Sequence, residues 1–237
     1  MYMSDVLVLA GFVALIYVML FPWAVRYMQW GRVYIWTYRF IPHFMVSPDL
    51  TDSEYLGKFP PRFYSNEGMV PIITKDKVME RWGREYYMKY LFGKSDYYKA
   101  AFTAHFIAQT NKYRTDIDNY GRGDLSCLPV QNFYKRANDC EDYAIDFSFF
   151  CHCVGLETIL VLISGHMFSG IAIKNPPWHM RFMHKVVHEG ETYYLVDCTN
   201  IWPWMGFNWN FSKPILDCEK VIIPSQQFMD SLRRLDE

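Results

Sequence analysis

A cysteine set inside an acidic run is the first feature with chemical content. Residues 138–153 read NDCEDYAIDFSFFCHC, which flanks Cys140 with Asp139, Glu141 and Asp142. Carboxylates oppose the ionisation of a neighbouring thiol. The stretch nevertheless begins as a helix would, with Asp139 as N-cap and Asp142 three residues on as an acidic variant of a capping box. Cys140 then falls in the first turn, where unpaired backbone N–H groups and the helix dipole favour a thiolate. The dipole contributes only about 0.3–1 kcal/mol, too little to win against three acids. A reactive Cys140 therefore needs a positive partner from elsewhere in the chain, an imidazolium.

The chain has seven histidines. His166 opens a strand just after a glycine turn (ISGHMF), a position that exposes a side chain at a sheet rim, and His184 and His188 fall on a neighbouring hairpin. Along TYYLVD (192–197), Tyr193, Leu195 and Asp197 share one face, which ends in an acid at a strand terminus. If the strands at 166–174 and 192–197 are adjacent, Asp197 can hold the His166 imidazole in one tautomer. His166 can then take the proton of Cys140, the nucleophile–base–orienter logic of covalent catalysis. Spacing alone leaves the plainer roles open: a packed thiol, a satisfied strand-end histidine, and an acid that caps the turn before Thr199.

The elements that must position these residues can be read from periodicity. Cys140, Tyr143, Ala144, Phe147, Cys151 and Val154 follow the 3–4 spacing of one buried helical face. Ile145 and Phe149 are apolar too, so this helix packs on more than one side. Upstream, residues 75–93 place Val78, Trp82, Tyr86 and Tyr90 on one face, and residues 95–113 turn Phe102, Phe106 and Ile107 inward. Residues 114–137 read as loop. Downstream the period changes: 157–164 is a buried strand reached through Gly155 as helix C-cap, 166–174 is a second strand, and 184–189 with 192–197 form a hairpin across Gly190. Helices followed by a run of strands argue an α+β fold with a mainly antiparallel sheet.

The ordered stretch NDCEDYAIDFSFFCHCVGLETILVLISGHMFSGIAI…GETYYLVDCTN resembles the transglutaminase-like superfamily of papain-related thiol enzymes, closest to its bacterial and archaeal transglutaminase-like cysteine proteinases. In that family a D-C-E-D helix start supplies the nucleophile, a G/D-H strand start the base and an L-x-D-x-T strand end the acid. The matching positions here are Cys140, His166 and Asp197. The preceding IAQTNKYRTDIDNYGRGDLSCLPVQNFYKRA is similar to the family's helix, Y-x-x-D and P-x-E/Q segments, so the resemblance covers roughly residues 98–200. Two positions depart from it. Asn138 stands where the family has glycine, and DLSCLPVQ lacks the tryptophan that often precedes P-x-E/Q. Gln131 matches the glutamine, which implies either an oxyanion-stabilising N–H or a hydrogen bond that orders the loop.

The resemblance implies a central cysteine-bearing helix packed on an antiparallel sheet. It also implies a protease or amidase that works through a thioester acyl-enzyme on a protein or peptide substrate. Acyl transfer to an amine, as in a transglutaminase, is the alternative chemistry, and a tethered scaffold that kept the fold without turnover is the alternative class. No cofactor is required. Some relatives with this acidic motif bind calcium through the carboxylates beside the cysteine, and Asp139, Glu141 and Asp142 are oxygen ligands of the right kind, although helix capping is the role expected of them. Zinc at Cys151, His152 and Cys153 is disfavoured, because consecutive helical residues diverge and the Cys-x2-Cys spacing is absent.

Residues 6–25 are twenty residues without a charge, enough for a helix to span the roughly 30 Å of a bilayer core. Arg26, Arg32 and Arg39 follow this stretch, so a single-pass anchor would leave the rest of the chain in the cytoplasm. Residues 27–46 mix Trp, Tyr and Arg as an interfacial collar would. The expected organisation is thus an anchor at 1–26, a collar and linker at 27–74 and a catalytic domain at 75–237, with Trp202, Trp204 and Trp209 folded back over an apolar surface. A net charge of −1 gives no electrostatic footprint for nucleic acid.

Overall fold

The computed structural model describes residues 31–56, 62–63, 76–121, 125–163, 165–203 and 218–222, together with the helical positions 11, 13, 16, 17 and 20. Most of the uncharged stretch at 6–25, and Trp204 and Trp209, lie outside the described residues. Among the described residues, no helix is long and apolar enough to cross a membrane.

A hairpin comes first: β1 (Val33–Tyr38) pairs antiparallel with β2 (Ile41–Val46). Part of the stretch expected as a collar, 27–46, is thus a hairpin. Tyr34, Trp36 and Tyr38 of β1 are buried in the main hydrophobic core, whereas Phe40, Ile41, Phe44 and Val46 are exposed. The Thr37 N–H and hydroxyl both donate to Gln109 Oε1, at 2.8 and 3.0 Å, which ties β1 to the helix behind it.

Four helices follow, of which two were legible as periodic stretches. The first, α1 (Lys77–Tyr86), starts at Asp76, whose side chain accepts from the Val78 and Met79 N–H groups. It continues as one π-helical turn over Tyr87–Leu91. The next, α2 (Asp96–Thr110), is capped by Ser95. The segment expected as loop, 114–137, contains two short helices instead. In α3 (Asp116–Tyr120), Thr115 caps the start and Gly121 closes the end at φ 68°. In α4 (Pro129–Lys135), proline takes the first position and Arg136 closes in the left-handed region. Helices this short carry no full amphipathic period, so their caps are their only signature.

The cysteine helix, α5 (Cys140–Cys153), is central. Phe147, Phe150 and Cys151 are fully buried, and Ile145 and Phe149 are almost so, which bears out packing on more than one side. One side meets the aromatic cluster: Phe150 lies 5.4 Å from Trp82, 5.1 Å from Phe106 and 5.5 Å from Phe133, ring centre to ring centre. Trp36 of the hairpin joins Phe106 at 4.8 Å. Rings buried in this way supply most of a small core's apolar area. The other side of α5 lies on the sheet, where the Ser169 hydroxyl donates to the Ala144 carbonyl at 2.9 Å.

Gly155, at φ 76°, turns the chain into the sheet strands β3 (Thr158–Ile163), β4 (His166–Ala172), β5 (Lys185–His188), β6 (Glu191–Val196) and β7 (Cys218–Ile222). Their spatial order is β7-β3-β4-β6-β5, with every neighbouring pair antiparallel. The fold is therefore α+β, as expected. Residues 189 and 190, both at positive φ, make the hairpin turn between β5 and β6. The adjacency on which the chemistry depends is present: β4 pairs with β6, Ser169 opposite Val196. The first residue of β4 and the residue just past β6 thus meet at one edge of the sheet.

Candidate active site

His166 and Asp197 occupy that edge. Nε2 of His166 lies 3.3 Å from Oδ2 of Asp197. The other carboxylate oxygen accepts from the Thr199 N–H at 2.9 Å and from its hydroxyl at 2.6 Å. Burial pushes the Asp197 carboxyl up, but the His166 contact and the two Thr199 bonds outweigh it and hold it below its ordinary value. Asp197 thus both bonds to a histidine and caps the turn at Thr199, contacts that the spacing had left as alternatives. The loop beyond it is anchored by Gln109, whose amide reaches the Ile201 carbonyl.

Cys140 is half-buried at the first position of α5. The Met167 N–H, next in the chain after His166, faces its sulfur. The start of β4 and the head of α5 are therefore in contact at the thiol. The thiol proton itself is directed to Glu141 Oε2, at 3.1 Å. Burial, and then the charge and hydrogen bond of Glu141, push the thiol up, against the smaller opposing pull of Met167. This is the electrostatic opposition that the acidic run foretold.

The acids do not serve as caps. Asp139 occupies the N-cap position, yet its side chain accepts no capping hydrogen bond. Asp142 accepts from the Cys127 N–H at 2.9 Å instead. What sequence reasoning missed is Asp116, brought in by α3. Ligand oxygens of Asp116, Asp139 and Glu141 lie within 4.8 Å of one another, all three residues being buried. Oδ1 of Asp139 is buried without a hydrogen-bond partner. Burial, the hydrogen bond with Glu141 and the charges of Asp142, Glu141 and Asp116 push the Asp139 carboxyl up to about 10. A concentration of buried carboxyl oxygen of this kind, which would ionise on binding, fits a hard divalent cation. Asp116 had been visible only as the acid of a Y-x-x-D segment.

A second feature that was not anticipated fixes the helix head. Asp146, fully buried on α5, accepts from Asn138 Nδ2 at 2.7 Å, Asn132 Nδ2 at 3.0 Å and Asn111 Nδ2 at 3.4 Å. Three separate segments are thus pinned near Cys140, including the residue two before it. Burial pushes the Asp146 carboxyl well up, and the amides of Asn132 and Asn138 partly offset this. Gln131 lies in the first turn of α4, buried, with Oε1 accepting from the Leu128 N–H at 3.0 Å. That bond orders the loop, one of the two roles expected of it. The CHC run does not converge on a common point: His152 Nε2 pairs with the Thr158 hydroxyl at 2.9 Å, while Cys153 packs against Gly83.

No protein-family model matches the chain, and no curated protein matches it. Among solved structures it is similar to Legionella pneumophila LapG, with a TM-score of 0.38, 15% identity and coverage of 73% of this chain and 99% of that one. The calcium-bound form of LapG gives the same TM-score with 16% identity, covering 73% of this chain and 100% of that one. The likeness is a distant one of fold, and it carries no statement about this chain's chemistry.

Proposed function

We propose that the protein is a cysteine peptidase or amidase in which Cys140 is the nucleophile, His166 the base and Asp197 the residue that orients His166. The observation that carries this reading is the meeting of three chain segments at one sheet edge: His166 bonded to Asp197 at 3.3 Å, with the thiol beside the Met167 N–H. Donation of Nε2–H to Asp197 leaves Nδ1 with the lone pair, so Nδ1 is the nitrogen that takes the thiol proton. The sulfur then attacks an amide carbonyl and the amine leaves with the proton from His166, giving a thioester that water hydrolyses. The substrate class is protein or peptide. Capture of the same thioester by an amine would be transglutamination. The Cys140 N–H at the head of α5 and the Gln131 amide are the oxyanion donors in this reading.

Asp116, Asp139 and Glu141 would hold a calcium ion. When bound, it would neutralise the carboxylates beside the thiol.

One observation favours the runner-up, a scaffold that kept the fold without turnover: the thiol proton is directed to Glu141. Alkylation by iodoacetamide separates the two. Selective modification of Cys140 near neutral pH, faster than at the other thiols and slowed by His166→Ala, is expected of the enzyme. Equal labelling of all accessible cysteines would leave the scaffold.

A further inference from the structure

Tyr113 stands beside the head of α5, and no role has yet been given to it. Its backbone is stitched to the segment that leads into Cys140: Lys112–Tyr113 pairs parallel with Ala137–Asn138, Tyr113 opposite Asn138. The Lys112 N–H donates to the Arg136 carbonyl at 3.0 Å, and the Arg114 N–H to the Asn138 carbonyl at 2.8 Å. Its ring lies over Tyr143, 6.4 Å between centres and 13° from parallel. Tyr143 sits one turn after Cys140 on the same helical face, and its own hydroxyl donates to the Asn111 carbonyl at 2.7 Å. Tyr113 is thus held through both backbone and ring, yet it remains 46% exposed.

A tyrosine fixed so firmly and left so open differs from one used for packing, which would bury its ring and bond its hydroxyl. Among the described residues, the Tyr113 hydroxyl has no hydrogen-bond partner. After burial, the foremost influence on its ionisation is Cys140, followed by Asp139, Glu141 and Asp197, the charged and ionisable groups around the head of α5. Together these push the phenol up to about 12, so it keeps its proton at neutral pH and can act only as a donor to an anion.

We infer that Tyr113 donates its hydroxyl to the oxyanion that forms when Cys140 attacks a substrate carbonyl, beside the backbone N–H of Cys140. The inference rests on Cys140 being the nucleophile. As the S–C bond forms, the C=O π pair moves onto oxygen, and that oxygen accepts from Tyr113 as well as from the two donors of the proposed mechanism, the Cys140 N–H and the Gln131 amide. As the pair returns, the C–N bond breaks and His166 delivers its proton to the departing amine. A donor held on rigid elements needs no reorganisation as the charge appears, which is why such donors matter to rate.

The test is Tyr113→Phe in the full-length chain, which keeps the ring stack and removes only the oxygen. Two probes form an oxyanion, p-nitrophenyl acetate and a peptide aldehyde, and one does not, iodoacetamide. Loss of a single oxyanion donor typically costs about 10²–10³ in rate, and a solvent-exposed one should fall near the lower end. The acylation rate by the ester and the affinity for the aldehyde should both fall about 10²-fold, while KM for the ester and the rate of iodoacetamide alkylation stay unchanged. Parent-like acylation and aldehyde binding in Tyr113→Phe would overturn the inference, as would an equal loss of iodoacetamide reactivity, which would mark a structural role. Cys140→Ala separates the layers: if it still acylates at the parent rate, the nucleophile is wrong and the inference falls with it.

Discussion

At the scale of single residues, the three groups of the proposed triad were legible because each sits at an element boundary that sequence pattern marks well. Cys140 begins a helix, His166 begins a strand after Gly165, and Asp197 follows the last residue of a strand. What sequence could not supply was partner choice. Nothing local told that the Cys140 thiol would face Glu141, or that Asp116 would travel from a separate short helix to join Asp139 and Glu141. Those contacts depend on how α3 docks, which is a tertiary fact. The Asp197 carboxyl, held below its ordinary value of 3.8 in the folded state, gives a prediction with a definite sign. A depressed carboxylate contributes stability that is complete above its unfolded value and fades as pH falls through the folded one. Thermal unfolding of the parent should therefore lose this contribution below about pH 3.8, and in Asp197→Asn the loss should be absent. Equal acid sensitivity in the two proteins would contradict the assignment.

At the scale of elements, long periodic segments were read correctly and short capped ones were not. The faces of α1, α2 and α5 carry bulky apolar residues over several turns, and the strands alternate or run apolar into glycine turns. By contrast α3 and α4 are defined by Thr115, Gly121, Pro129 and Arg136, each ambiguous in isolation. Residues 27–46 were read as an interfacial collar, because Trp, Tyr and Arg mix in the same way at an interface and in a half-buried hairpin. Burial of Trp36 against Phe106 settles the packing of that strand. The junction of elements that fixes the site is Asp146 with Asn111, Asn132 and Asn138. Asp146→Ala strands three amides, and each buried unsatisfied group costs about 1–3 kcal/mol. We expect a loss of about 3 kcal/mol or more in denaturant unfolding. A loss under 1 kcal/mol would show that the amides find other partners.

At the scale of the whole molecule, the described residues form an α+β fold with a cluster of buried acids joining α3 to the head of α5. Such a cluster should make global stability respond to divalent cation. A ligand that binds only the folded state stabilises it by about 2.7 kcal/mol at a hundred times its Kd. The melting temperature of chelator-treated protein should rise on addition of calcium, and Asp116→Asn should blunt the rise. A melting temperature indifferent to calcium and magnesium alike would remove the cation from the account. The central claim is the identity of the nucleophile, and one measurement reaches it most directly: mass spectrometry of the full-length protein quenched during reaction with p-nitrophenyl acetate. A single acetyl group on the peptide that contains Cys140, absent in His166→Ala, is the predicted result. Acetylation spread over the other thiols, or unchanged in Cys140→Ser, would contradict it.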